Sequence, residues 1–220
     1  MSHHTRWGAC AMVAAGLLVT AAFSAPSARQ AGEFTPLFNG RSLAGWVVEN
    51  SDGANFTVRD GVLRVEGPGG WLRSAEQYAD FDMRVEFRFL TDDADSGVFV
   101  RAPGPASNVF VRGWPANSYQ VQTRDITTNR TTNPLWLGNL YRHRTPPGET
   151  EYDAEAALAA SRPTGEWQRF DIEVAGDRIS VRLNDTPVLN ATGLANPRGY
   201  IGIQGETGIV EYREIAIRVR

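Results

Sequence analysis

From Phe34 onward, apolar and polar residues alternate in short runs. That period of two is the signature of a half-buried β-strand, in which residues i and i+2 share a face. The clearest run is F-D-M-R-V-E-F-R-F at 81–89. It sets Phe81, Met83, Val85, Phe87 and Phe89 on one side, with Asp82, Arg84, Glu86 and Arg88 on the other. F-D-I-E-V (170–174), A-G-D and R-I-S-V-R-L (178–183) read as a hairpin closed by a Gly-Asp turn. The chain closes with strands at 200–204 and 209–219, and shorter ones fit near 56–59, 62–66, 96–102 and 137–142. About ten alternating strands separated by turn signals predict an all-β sandwich, two antiparallel sheets with their apolar faces together. The exception is 149–161, where Thr150 with Asp153 resembles a capping box and an alanine run follows, predicting one short surface helix. With no repeat, linker or low-complexity tract, residues 34–220 read as a single domain.

Composition narrows the partners. The chain has 220 residues, 42% hydrophobic and 21% charged, with a formal net charge of −3 and no basic block. Nothing in that balance suits a nucleic acid. The N-terminus has Arg6, then an apolar stretch of small residues ending A-F-S-A-P. It reads as a signal peptide over 1–25, cleaved after Ser24 or Ala25, and is too short for a confident membrane span. The expectation is export to the periplasm or the exterior, with no stable membrane insertion. Cys10 lies inside this segment, so the mature chain would hold no cysteine, no disulfide and no thiol chemistry.

Four segments in order carry a resemblance: L-F-N-G-R-S-L-A-G-W (37–46); D-F-D-M-R-V-E-F-R-F with D-S-G-V-F-V-R (80–101); S-Y-Q-V-Q-T-R-D (118–125); and G-E-W-Q-R-F-D-I-E-V through Y-I-G-I-Q-G-E-T-G-I-V-E-Y-R-E-I (165–215). Together they resemble the 3-keto-disaccharide hydrolase family of exported bacterial proteins. The resemblance implies a concanavalin A-like jelly-roll sandwich and action on glycosides oxidised at C3 of the sugar. This chain departs from the family pattern in two places. Gln120 stands where many members have Glu, so no carboxylate role carries over there, and Glu206 stands where a His can occur. The 102–117 insertion is a third feature that would reshape a cleft.

Strand parity sorts the candidates. Val98 and Val100 inward leave Gly97, Phe99 and Arg101 outward; Ile201 and Ile203 inward leave Gly202, Gln204 and Glu206 outward. With Glu86, Gln120, Gln122 and Tyr141, these outward residues are expected to line a groove on one sheet. Amides donate and accept together, matching sugar hydroxyls, and Trp114, Trp136 or Tyr141 would stack on a pyranose. The plainer reading is a wet polar sheet face. A 3-keto sugar has an acidified C2 hydrogen, so elimination needs a base, an oxyanion stabiliser and an acid for the leaving oxygen. Arg101 either stabilises the enolate or pairs with Glu86 or Asp95. Glu206, Asp125 and His143 are the acid/base candidates, and the resemblance, which sets Asp125 at an acidic position of the family, offers it alternatively as a metal ligand; the plain alternatives are a loop carboxylate, a turn Asp and a surface His kept neutral by Arg142 and Arg144. No ligand spacing requires a metal, although Ca²⁺ would suit carboxylate and amide oxygens. E-Y-D-A-E (151–155) mimics a glucanase strand, but the alanines after it favour a helical turn over one extended face. The alternative function is a non-catalytic carbohydrate-binding module using the same groove.

Overall fold

The computed structural model describes Met1 and residues 32–104, 113–127 and 137–220. Apart from Met1, the expected signal peptide with Cys10 lies outside the described residues, as do Trp136 and much of the 102–117 insertion. In chain order the strands are β1 (Thr35–Pro36), β2 (Trp46–Glu49), β3 (Phe56–Arg59), β4 (Val62–Glu66), β5 (Trp71–Tyr78), β6 (Phe81–Phe89), β7 (Asp95–Ala102) and β8 (Ser118–Arg124). Then come β9 (Leu140–His143), β10 (Thr150–Tyr152), the helix α1 (Ala154–Ala160), β11 (Gln168–Ala175), β12 (Arg178–Leu183), β13 (Thr186–Ala191), β14 (Gly199–Gln204) and β15 (Ile209–Val219).

The strands form two sheets. The first runs β10-β13-β12-β11-β6-β15-β4-β3, with β1 added on β15, and the second runs β2-β5-β14-β7-β8-β9. The architecture is the all-β sandwich expected from the alternation, in the jelly-roll form that the resemblance implied. The apolar face of β6, from Phe81 to Phe89, is 0–1% exposed. It meets Phe170 and Ile172 from β11 and the inward residues Val98, Val100, Tyr119, Val121, Ile201 and Ile203 of the second sheet in one core. Phe87 stacks on Phe170 at 4.6 Å between ring centroids. Each such side chain contributes about 1.5–3 kcal/mol by leaving water, so this face decides how the sheets close.

The outer face of the first sheet is a ladder of ion pairs across neighbouring strands. Arg88 meets Glu211 at 2.7 Å, Arg84 meets Asp171 at 3.1 Å, and Arg218 meets Asp82 at 2.6 Å. Arg88 and Arg213 also sit over Trp167, at 4.6 and 4.0 Å from its centroid. The chain has 22 arginines and no lysine, and the planar fork of arginine suits both carboxylates and aromatic faces. Glu86 belongs to this ladder, accepting from Arg213 Nε at 2.6 Å. The expectation that it lines a groove with Gln120 is therefore corrected. Its parity was read properly, but β6 lies in the opposite sheet from β8, which alternation along one strand does not reveal.

The helix differs from its expected start. Thr150 pairs with Ala191 as the first residue of β10, and Asp153 is the N-cap, accepting from Ala156 N. Glu151 thus lies in a strand and Glu155 in a first helical turn, so E-Y-D-A-E offers no single extended carboxylate face. Among the described residues no helix is long and apolar enough to cross a membrane.

Candidate functional site

Pairing in the second sheet lines up one outward row, Arg73–Gly202–Phe99–Gln120–Tyr141, across β5, β14, β7, β8 and β9. Two glycines let large flat groups lie on this face. A Cβ on Gly202 would stand 2.4 Å from Trp71 Cε3, and one on Gly97 would stand 1.7 Å from Gln120 Nε2. Trp71 therefore spreads across Gly202 and meets Phe99 edge-on at 5.5 Å. Phe99 is 0% exposed and packs with Trp71, Ala102 and Trp114. It was expected to touch a ligand; it is instead buried floor, because Trp71 on one side and the Gln120 row on the other cover it.

Over that floor lies a cavity of about 110 Å³. Gln120, Gln122, Tyr141, His143, Gln204 and Glu206, all expected from the sequence, converge on it. Asp95, Trp114 and Arg124 complete the lining. Of these, Asp95 and Arg124 were not among the expected site residues. The signal for Asp95 was present, since it lies two residues before Gly97 on the same strand face; Arg124 likewise shares the face of Gln120 and Gln122.

The polar groups are wired in a directed order. Gln120 Nε2 donates to Gln204 Oε1 and, at 3.4 Å, to Ser96 O. Its carbonyl Oε1 then faces His143 Nε2 at 2.6 Å, which makes that nitrogen the donor and sets the Nε2–H tautomer. His143 is 2% exposed, with the rings of Tyr141, Phe99 and Trp114 at 4.6, 5.5 and 6.1 Å. Burial pushes its pKa down to about 4, so the imidazole is neutral near neutral pH. The sequence expected neutrality from the flanking arginines; burial in an aromatic box supplies it. Gln122 Nε2 donates to Asp95 Oδ1 at 2.6 Å, and Arg124 Nη1 lies 3.2 Å from Asp95 Oδ2.

Glu206 is held from both sides through the backbone. Trp114 Nε1 donates to Gly205 O at 3.1 Å. Thr207 exchanges two backbone hydrogen bonds with Asp95, at 2.9 and 3.0 Å. The backbone on either side of the half-buried Glu206, which lines the cavity, is thereby held.

Two expected catalytic residues lie elsewhere. Pairing of Tyr200 with Ala102 but of Gly202 with Phe99 gives β7 one extra residue, a bulge. Arg101 sits in it with φ 46° and turns off the groove face. Its guanidinium, 1% exposed, donates to the carbonyls of Ala79 (2.7 Å), Gly176 (2.6 Å) and Asn196 (3.0 Å) and to Asp80 Oδ1 (2.7 Å). Burial lowers its pKa and Asp80 opposes the shift. It is a clamp between turns of both sheets. Asp125 follows Arg124 and so falls on the opposite side from the glutamines. Its Oδ1 accepts from Thr127 N at 2.9 Å and Thr127 Oγ1 at 2.7 Å, closing the turn after β8. Among the described residues no cluster of three or more His, Cys, Asp or Glu is arranged to hold a metal ion.

A family model described as a 3-keto-alpha-glucoside-1,2-lyase-like domain matches residues 33–218. Among curated proteins no sequence matches the chain. Among solved structures, a candidate glycosyl hydrolase from Parabacteroides distasonis is 20% identical with a TM-score of 0.67, over 86% of this chain and 100% of its own. A Bacillus subtilis protein with a galectin-like fold is 13% identical at TM-score 0.60, over 84% and 94% of the two chains. A Bacillus licheniformis β-glucanase is 13% identical at 0.52, over 87% and 100%. At these identities the likeness is one of fold, the jelly-roll sandwich.

Proposed function

The chain belongs to the 3-keto-alpha-glucoside-1,2-lyase-like family, and from that premise we propose that it cleaves glycosides whose sugar carries a ketone at C3. The observation that carries the reading is the convergence of Asp95, Glu206, Arg124 and three glutamine amides in one cavity on the outer face of the second sheet. A ketone at C3 acidifies the C2 hydrogen, so a carboxylate in hydrogen-bond reach suffices as base. The Arg124 guanidinium and the Gln204 amide supply donors where the enolate oxygen develops. Collapse of the enolate expels the C1 substituent, and water adds afterwards if the outcome is hydrolysis. His143 positions: its Nε2–H fixes Gln120, which fixes Gln204.

Export belongs to the same proposal and rests on the N-terminal 1–25 pattern. Purified protein incubated with a 3-keto-disaccharide should release the second sugar. Asp95→Asn and Glu206→Gln should each lower that rate by about 10²–10⁴, the usual worth of an acid or base. Saccharide binding without release, unchanged in both variants, would favour the binding-module alternative instead.

A further inference from the structure

A cavity of about 110 Å³ is well below the roughly 300–1,000 Å³ of sites that enclose a small ligand. A space of that size has room for the reacting edge of one sugar ring and would leave the C1 substituent outside. Glu206 shows where outside is. It borders the cavity and also a depression of about 600 Å³ formed with the Gly67–Pro68–Gly69 turn and the Thr207–Gly208 segment. Pro68 in turn borders a third depression of about 300 Å³, whose walls include Ser51, Asp52, Asn55 and Thr57.

The rim that separates these depressions is held in place by the backbone. Gly69 N donates to Gly205 O and Gly205 N to Gly70 O, both at 3.1 Å, so the 67–70 turn and the 205–208 segment form one hydrogen-bonded rim. Asn55 Nδ2 pins Gly69 O at 2.9 Å. The middle depression presents backbone and, apart from Glu206, no charged side chain. The far one offers hydroxyl and amide groups beside the carboxylates of Asp52 and Glu66, which favours a neutral, hydroxylated occupant and disfavours an anionic one.

Resting on the glycoside-cleaving reading above, we propose that the leaving group is a neutral saccharide lying from Glu206 over Pro68 toward Asn55. Glu206 is the acid that protonates its departing oxygen. Whatever protonates that oxygen must stand at the junction of the two spaces, and Glu206 is the one titratable side chain that lines both among the described residues. The step balances without redox. The base takes the C2 proton, the C2–H electron pair ends as the C1=C2 bond, the C1–O1 bond breaks, and O1 takes the proton from the Glu206 carboxyl. Solvent returns to Glu206 the proton that the base removed. The third depression leaves room for a sugar unit beyond the first.

The test uses the full chain, three substrates (methyl, 4-nitrophenyl and disaccharide 3-keto-glucosides) and two variants. Glu206→Gln should lower disaccharide cleavage by at least 10²-fold but 4-nitrophenyl release by less than 10-fold, because nitrophenolate departs without a proton. It should still exchange the C2 hydrogen for solvent deuterium. Pro68→Trp, which fills the track at an exposed rim position, should lower the disaccharide-to-methyl ratio of kcat/KM by at least 10-fold. If wild type cleaves all three substrates but Glu206→Gln loses them equally, or Pro68→Trp leaves the ratio unchanged, the track assignment falls and the parent reading stands. If wild type is inert on all three and exchanges no C2 hydrogen, both fall together.

Discussion

The aromatic box around His143 makes a quantitative claim about acid. Its ordinary pKa of 6.5 falls to about 4 in the folded chain because the cation would be desolvated. Above pH 6.5 the imidazole is neutral in both folded and unfolded states and contributes no pH dependence. Between about 6.5 and 4 the unfolded chain takes up a proton that the folded chain refuses, so stability falls as pH falls and the loss is complete below about 4. A shift from 6.5 to about 4 at 1.36 kcal/mol per unit gives about 3 kcal/mol, a large part of the roughly 5–15 kcal/mol that holds a domain folded. The assay is a set of urea melts at half-unit steps from pH 7.5 to 4, on wild type and His143→Gln. Carboxylate contributions are common to both and cancel in the difference, which should shrink by about 3 kcal/mol across the window. Equal slopes for the two proteins, or an NMR titration midpoint for the His143 ring near 6.5, would refute the burial argument.

Other outcomes follow from the same geometry. Arg101→Met strands three turn carbonyls and Asp80. It should cost about 2–4 kcal/mol in denaturant melts, while the folded fraction keeps its saccharide affinity. Gly97→Ala places a methyl where the Gln120 amide lies and should weaken saccharide binding at least tenfold by calorimetry, since the Gln120–Gln204 chain must shift. Glu86→Gln removes one rung of the half-exposed ladder. It should change stability by less than about 1 kcal/mol and leave turnover within twofold, in contrast to Asp95→Asn.

The sheet that holds the site was legible in its strands but not in its partners. Alternation located the faces of β6, β8 and β14, because a period of two is a local property of each strand. It could not say that β6 and β8 belong to different sheets, which is why Glu86 was assigned to the wrong surface. Parity also fails across a bulge. One extra residue in β7 turned Arg101 from the groove into a clamp, and nothing in D-S-G-V-F-V-R announces it. Gln120, Gln122, Gln204 and Glu206 were legible because their strands run regularly through the site. Asp95 was equally readable from the Gly97–Phe99 parity. The sequence nevertheless offered it only as an ion-pair partner for Arg101. The neutral state of His143 owes its burial to Phe99 and Trp114, distant in sequence, as well as to Tyr141 two residues before it on β9, and only the last is a local feature.

Every cation of the ladder on the first sheet is a guanidinium, and the chain contains no lysine. Beyond its own N-terminus, then, the molecule presents no primary amine. Ketones and enones condense readily with amines to give imines and adducts, whereas guanidinium stays protonated and unreactive toward them. If it acts on oxidised sugars as proposed above, the domain carries positive charge on its surface without being glycated by them, and an amine-directed label would mark the chain only at its N-terminus.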